Sequence, residues 1–511
     1  MNQDKTNTQV KSTLGLTGVT VNAMALIAPG AFLWITYQMQ AAATAPSGAS
    51  VASDIWSGIV FALILAFLTA LSYAELARIY PEAGFGSSYY FAEKAFLDRE
   101  NTRHHKWARL AKLVTGWAAH LFYWVYPGVM VAMMATLIGY LYTAFTGHTL
   151  SGAVLTVIAV LFALFTGYIA YRGVTGSTLT AFVINVIQLV SLIGFSVAAI
   201  IYRLHNPAHA VTWAFSGAWD VVRIHSLQGV LIQSTIAILI LVGFESSTAF
   251  AAEAKNPKRD IPRAVIISLV VQGLFAYLFE YFAANYMVSE KLAGTTVTGL
   301  AAAGASSAPM GDMAILLGNS LLGGIGFGLM ITIAITVALA ILGTTLSCMN
   351  TAVRVSYAMA QDKEMPTVLN ALHGRFATPH KVIWVLVVVS SLIAAIGVRS
   401  VVGLTGITLA SNFGTFVLYG LTCLWTIVAF AGHKQFSVVK HVVVPVLGLV
   451  ANVAMLGAIL YLYIIGNSDA RHEAYICFGI VGVWVAISAV YVAVSSRRSG
   501  RAIIGVQYRQ S

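Results

Sequence analysis

Charge is what this sequence has least of. Asp, Glu, Lys and Arg make up 9% of its 511 residues, against about 25% in an ordinary soluble domain. With 59% hydrophobic residues and a mean hydropathy of +0.82, that scarcity excludes a soluble globular fold and leaves a polytopic membrane protein. Cysteine is almost missing too. Cys348, Cys423 and Cys477 sit singly in apolar runs, with neither disulfide nor metal spacing, and read as small core residues. No His or acidic cluster has metal spacing and no Ser-His-Asp arrangement appears, so neither an enzyme nor a cofactor is expected. Long polar stretches are absent as well, which excludes a soluble domain. The formal charge of +11 does not point to nucleic acid, because its placement follows topology.

Apolar runs long enough to cross about 30 Å of hydrocarbon fall near 16–42, 55–79, 113–143, 152–171, 178–202 and 227–253. A second set falls near 264–288, 324–352, 381–398, 401–431, 441–465 and 473–495. Twelve spans are therefore expected. The even-numbered loops and both termini then hold 24 of the 29 Lys and Arg, the others being Arg203, Arg223, Lys291, Arg399 and Arg471. That asymmetry predicts cytoplasmic termini. The polar first thirteen residues and the length of the first apolar segment predict a signal anchor rather than a cleaved leader. The expected domains are a tail over 1–13, one transmembrane domain over 14–498 and a tail over 499–511.

The sixth span is unusual. An apolar helix from Leu227 to about Val242 meets Gly243, Phe244 and Glu245, followed by Ser246, Ser247 and Thr248. A carboxylate at a helix centre costs roughly +2.5 kcal/mol or more on insertion. An acid beside a glycine there predicts an interrupted helix lining a cavity; the plainer reading is a Glu hydrogen-bonded inside the bundle. The first span carries its own breaker, Ala28-Pro29-Gly30-Ala31, where proline removes a backbone bond and glycine permits close approach. Interrupted segments five spans apart predict an inverted repeat with a midplane site. Spans 1–5 (about 16–202) and 6–10 (about 227–431) would be the repeats, with the last two (about 441–495) appended. The second half-helices begin near Gly30-Ala31 and Ser246-Ser247, where free N–H groups suit a carboxylate. The first half of span 6 ends around Ile240–Val242, exposing carbonyls that suit an ammonium. A zwitterionic amine fits both poles.

Gly243-Phe244-Glu245 followed by Glu253, Asn256-Pro257, Arg259 and Ile261-Pro262 resembles the sixth span and loop of the amino acid–polyamine–organocation permeases. Tyr73-Ala74-Glu75-Leu76-Ala77-Arg78 through Gly84, Tyr171-Arg172-Gly173-Val174, and Arg354 through Pro366 resemble three further family stretches, in order along the chain. The resemblance implies an all-α, twelve-helix, five-plus-five inverted-repeat fold of the leucine-transporter type. It also implies secondary transport of an amino acid or amine across a bacterial inner membrane by alternating access. The partners it implies are that small molecule, the lipid bilayer and a coupling ion or counter-substrate, with the protein a monomer or homodimer. A substrate sensor on the same fold is the alternative.

The resemblance also carries residues. Gln188 stands where some proton-coupled members have lysine, and Leu239 where several have an aromatic lid. Tyr126, Met130 and Met133 would face the site, or simply pack. Thr344, Thr345 and Cys348 correspond to pocket or ion-site positions, and Asn412 to a pocket polar group; Thr also commonly bonds back to its own helix. His120 is either a proton-handling group or is satisfied by a neighbouring helix. Glu280 is a functional acid by default, or it pairs with His120 or a tyrosine hydroxyl. Glu75-Arg78-Glu82 and Arg259-Arg263 read as gate or loop ion pairs. Glu245 is expected either to contact the substrate or to tie the unwound segment to neighbouring helices.

Overall fold

The computed structural model describes residues 14–28, 32–81, 87–97, 105–173, 178–205, 215–288, 291–376 and 378–498. Among these the chain is almost wholly helical and forms no sheet; its β contacts are isolated bridges, Leu14 with Ala254 and Thr44 with Ser50. Helices satisfy their own backbone groups, which is what an apolar chain without water at hand must do. Eleven helical segments among the described residues are long and apolar enough to cross a membrane.

The run at 16–42 is not one helix. It is α1 (Leu16–Ile27) and α2 (Leu33–Ala42), each too short to cross alone, with Ala28 left-handed at φ 50° where α1 ends. Pro29, Gly30 and Ala31 lie outside the described residues. Next come α3 (Ile55–Ile79), α4 (Ser88–Leu97), α5 (His105–Thr146), α6 (Gly152–Tyr171), α7 (Thr178–His205) and α8 (Phe215–Val222). The run at 227–253 is also broken: α9 (Leu227–Ala237) gives way to a tighter turn over Ile238–Ile240. Beyond Gly243, a ten-residue 3-10 segment covers Phe244–Glu253. The regular helix thus stops five residues before the expected Val242.

The second half holds α10 (Pro257–Leu269), a π-helical stretch (Val270–Tyr277) and α11 (Leu278–Met287), which together form one crossing. Over the loop after it lie α12 (Gly299–Ala305) and α13 (Pro309–Leu321). Then come α14 (Gly326–Gln361), α15 (His380–Gly397), α16 (Val401–Phe430), α17 (Val444–Ile465) and α18 (Ser468–Arg498). Serines cap three of the starts: Ser151, Ser226 and Ser400 accept from the backbone N–H of Val154, Gly229 and Gly403, as N-caps do.

α5 is the central post, buried along most of its length and packed on α14, α15 and α16. A β-carbon on Gly414 of α16 would lie 2.7 Å from the backbone nitrogen of Phe122, so these helices touch backbone to backbone, as small residues allow in membranes. α5 also holds Pro127. Proline offers no N–H to the carbonyl four residues back, that of Tyr123, and the Cys348 thiol donates to that oxygen from 3.7 Å.

Candidate functional site

The two interrupted helices meet at their breaks. A β-carbon on Gly243 would lie 2.9 Å from Ile27 Cγ1 and 3.0 Å from Leu26 Cγ, and Gly243 itself has φ +122°. That conformation is open to glycine and almost nothing else. Backbone groups freed by a break need new partners, and on the α1 side neighbouring helices supply them. The Tyr277 hydroxyl reaches the carbonyls of Ile27 (3.1 Å) and Ala28 (2.7 Å), and the Gln272 amide donates at 2.7 Å to the Met24 carbonyl, which also keeps the Ala28 N–H of its own helix. Thr344 Oγ1 donates to the Ala25 carbonyl at 3.2 Å. At the end of α9 the Asn412 amide donates to the Thr235 carbonyl at 2.7 Å. In the tight turn after Ala237 the Ile238 carbonyl accepts the N–H groups of Leu241 and Val242.

Glu245 is fully buried and ties three segments together. One oxygen accepts the Gly243 backbone N–H at 2.9 Å and the Tyr419 hydroxyl at 2.7 Å; the other accepts the Tyr123 hydroxyl at 3.2 Å. The carboxylate thus folds back on its own break and joins it to α5 and α16. Both oxygens accept from the protein. Ser246, Ser247 and Thr248 bond back to the carbonyls of Gly243, Phe244 and Glu245 at 2.6 to 2.7 Å. Phe244 is buried edge-on to Tyr73 and tilted against Tyr419.

The other candidate residues divide. Tyr126, Met130, Met133 and Leu239 are all buried. Among the described residues the Tyr126 hydroxyl has no hydrogen-bond partner, nor do Asn412 Oδ1 and Ser411 Oγ. Thr345 bonds to its own helix at Ile341, 2.6 Å. His120 is held by the Gly116 carbonyl and the Ser356 hydroxyl of α14, both at 2.8 Å, so a neighbouring helix satisfies it. The pairing of Glu280 with His120 does not form, and among the described residues neither oxygen of buried Glu280 has a hydrogen-bond partner, a tyrosine hydroxyl included. Glu75 and Arg78 form the expected pair at 2.5 Å, joined by His441 at 3.4 Å. Arg259 pairs with Asp260, 2.9 Å away, and Glu82 lies outside the described residues.

Gln188 lines a cavity of about 540 Å³ between α1, α7, the Phe244–Glu253 segment and α14. Polar side chains ring it, among them Asn22, Asn185, Ser347 and Asn350, with the Glu253–Arg354 pair (3.2 Å) at its rim. The Leu14 N–H donates to the Glu253 carbonyl at 2.9 Å, and the Lys255 N–H to that of Leu14 at 2.8 Å. The start of α1 is thereby stitched to the end of the second broken helix.

Sequence reasoning missed Tyr123, Gln272, Tyr277 and Tyr419. Each is a hydrogen-bonding side chain in an otherwise apolar run, and that was the available signal.

The sequence pattern of the amino acid permease family matches residues 12–486. An uncharacterised transporter of Mycobacterium tuberculosis is 24% identical over 381 residues, 74% of this chain and 73% of its own length. The methylthioribose transporter of Bacillus subtilis is 23% identical over 415 residues, 80% of each chain. A branched-chain amino acid permease of the same organism is 22% identical over 241 residues, 47% of this chain and 44% of its own. With two helices broken face to face and a match along nearly its whole length, the chain belongs to the amino acid permease family of membrane transporters, within the amino acid–polyamine–organocation superfamily.

Proposed function

We propose that this protein is a secondary transporter that moves an amino acid or related amine across the bacterial inner membrane by alternating access. The observation that carries the proposal is the contact between the two breaks, Gly243 against Leu26 and Ile27. Interrupted helices facing one another create a water-excluded place with backbone poles of both signs, which suits a zwitterion. Tyr126, Asn412 and Ser411 add polar atoms without partners among the described residues, and Met130 of α5, Phe244 and Cys348 of α14 are buried as well. A relative named for branched-chain amino acids supports an amino acid, and one named for methylthioribose marks how far substrates vary.

In this reading the split α1–α2 pair is the first of twelve spans, and both termini are cytoplasmic. Residues 16–202 and 227–431 are the inverted repeats, inside one domain over 14–498 flanked by short tails. The cavity beside Gln188 is the cytoplasmic path, and the Leu14–Glu253–Lys255 stitch closes its base. Glu245 governs the gate by holding the unwound segment to α5 and α16. Thr344 and Thr345 border the ion position of relatives. Gln188 cannot titrate, so exchange or another coupling route replaces proton uptake at that position.

The test is uptake of labelled amino acids and amines into proteoliposomes, beside a thermal-shift screen of the same compounds. A transporter accumulates or exchanges at least one compound that stabilises it. Stabilisation without flux would make the protein a sensor, and no stabilisation by any amine would overturn the substrate class.

A further inference from the structure

At the end of the bundle that carries Leu14, α4 packs against the beginning of α5 and the chain just past α14. Lys112 is 4% exposed. Its ammonium lies 2.9 Å from Glu93 Oε2 and 2.6 Å from Asp362 Oδ2, over the rings of Tyr89 and Tyr90. The Tyr89 hydroxyl in turn lies 3.0 Å from Asp362 Oδ2 and 2.9 Å from Glu364 Oε2. Glu364 is only 2% exposed.

These distances leave one hydrogen too few. A phenol has a single O–H to give, and an ionised carboxylate can only accept. With both acids ionised, Tyr89 can serve only one of them: Asp362 still has Lys112 and a side chain that is 34% exposed, whereas Glu364, 2% exposed, has only the Tyr89 oxygen within hydrogen-bonding distance among the described residues. Lys112 holds Asp362, which makes Asp362 the ionised acceptor of the Tyr89 hydrogen. The second contact then requires a hydrogen on Glu364, donated to a lone pair of Tyr89 Oη.

We infer that Tyr89, Asp362 and Glu364 form a proton-binding site that, when loaded, fastens the end of α14 to α4. Burial pushes the Glu364 carboxyl up to about 7, with Asp362 acting in the same direction against the charges of Lys112 and Arg109. The remaining ionisable neighbours are Glu93, Tyr90 and Tyr491; the last donates to the Lys363 carbonyl at 3.1 Å. A carboxyl raised in the fold stabilises it in its protonated form. That contribution is complete below the ordinary value of 4.5 and is lost as the pH rises through about 7. Above that point two carboxylates compete for one phenol and the fastening loosens. Because α14 also lines the cavity with Ser347 and Arg354, the proton acts on a wall of that cavity.

The test is an infrared titration of the purified full-length protein from about pH 5.5 to about pH 8.5, beside melting temperatures over the same range. The Glu364→Gln variant should lose one carboxylic-acid C=O band and flatten the fall in melting temperature with rising pH. Asp362→Asn frees the Tyr89 hydrogen for Glu364 and should lower the midpoint of that band by about one pH unit or more. A wild-type acid band and pH slope surviving in Glu364→Gln would overturn the site. If Glu364→Gln does not fold, an unchanged midpoint in Asp362→Asn does the same.

Discussion

The Tyr277 hydroxyl lies 2.7 Å from the carbonyl oxygen of Ala28 and donates to it. A residue from the second half of the chain thus closes a helix end in the first. The end of the broken helix is held by Tyr277 and Thr344, which bond its last carbonyls, and by Gln272, which adds a second donor to the Met24 carbonyl. An unwound segment inside a membrane protein survives where protein groups take over the work of the backbone ladder.

Tyr277→Phe should expose that dependence. It removes the hydroxyl hydrogen that the Ile27 and Ala28 carbonyls share, and an unsatisfied buried acceptor costs about 1–3 kcal/mol. The expected result is a lower melting temperature with substrate affinity weakened in step. Unchanged stability would mean the break carries its own satisfaction.

Gly243→Ala tests the contact between the breaks. Its β-carbon meets Ile27 and Leu26 at 2.9 to 3.1 Å in a backbone conformation that alanine avoids. The strain is about 1–3 kcal/mol, and relief requires the two breaks to separate. Transport should fall sharply while the protein still inserts; full transport in the variant would show that the breaks have room to spare.

Glu245→Gln separates tying from binding. The amide oxygen can keep the Gly243 N–H and the Tyr419 hydroxyl, and its nitrogen can face a turned Tyr123 hydroxyl. Substrate affinity should therefore stay within about tenfold, roughly 1.4 kcal/mol. Uncharged acceptors hold about half as strongly as a carboxylate, so transport should drop by more than the affinity does. Loss of binding together with transport would make Glu245 a substrate ligand.

Gln188→Ala addresses coupling. The side chain lines the cavity and its carbonyl oxygen has no partner among the described residues. Transport and its pH dependence should persist. A proton-driven uptake that disappears in this variant would return the coupling role to position 188.

Much of this was legible in the sequence, for identifiable reasons. Span positions follow from hydropathy, and α3, α6 and α16 begin and end within a residue of their apolar runs. The breaks were announced by Gly243 beside Glu245 and by Pro29-Gly30. The partners were not. That Tyr123 and Tyr419 would meet on Glu245 depends on packing across 122 and 174 residues of chain, which periodicity does not encode. The end of α9 at Ala237 was missed because Ile238–Val242 is as apolar as the helix before it. At that point the Asn412 amide of α16, distant in sequence, takes the Thr235 carbonyl, and the tight turn that follows packs on α3 and α16. His120 shows the converse: its two ring contacts come from Gly116 and Ser356, and a lone histidine in an apolar run gives no sign of either.

The π-helical stretch between α10 and α11 can be viewed as a matter of spare length. A ladder bonded to the fifth residue accommodates one residue more per turn than an α-helix. Gln272 and Tyr277 therefore stand five apart yet both reach α1. In a regular α-helix, at 3.6 residues per turn, a spacing of four would serve the same pair. Between them lies Phe275, 63% exposed, holding neither end of the arrangement. The stretch thus carries a surplus residue on its outer wall, and the span could shorten there by one without giving up either bond to the broken helix.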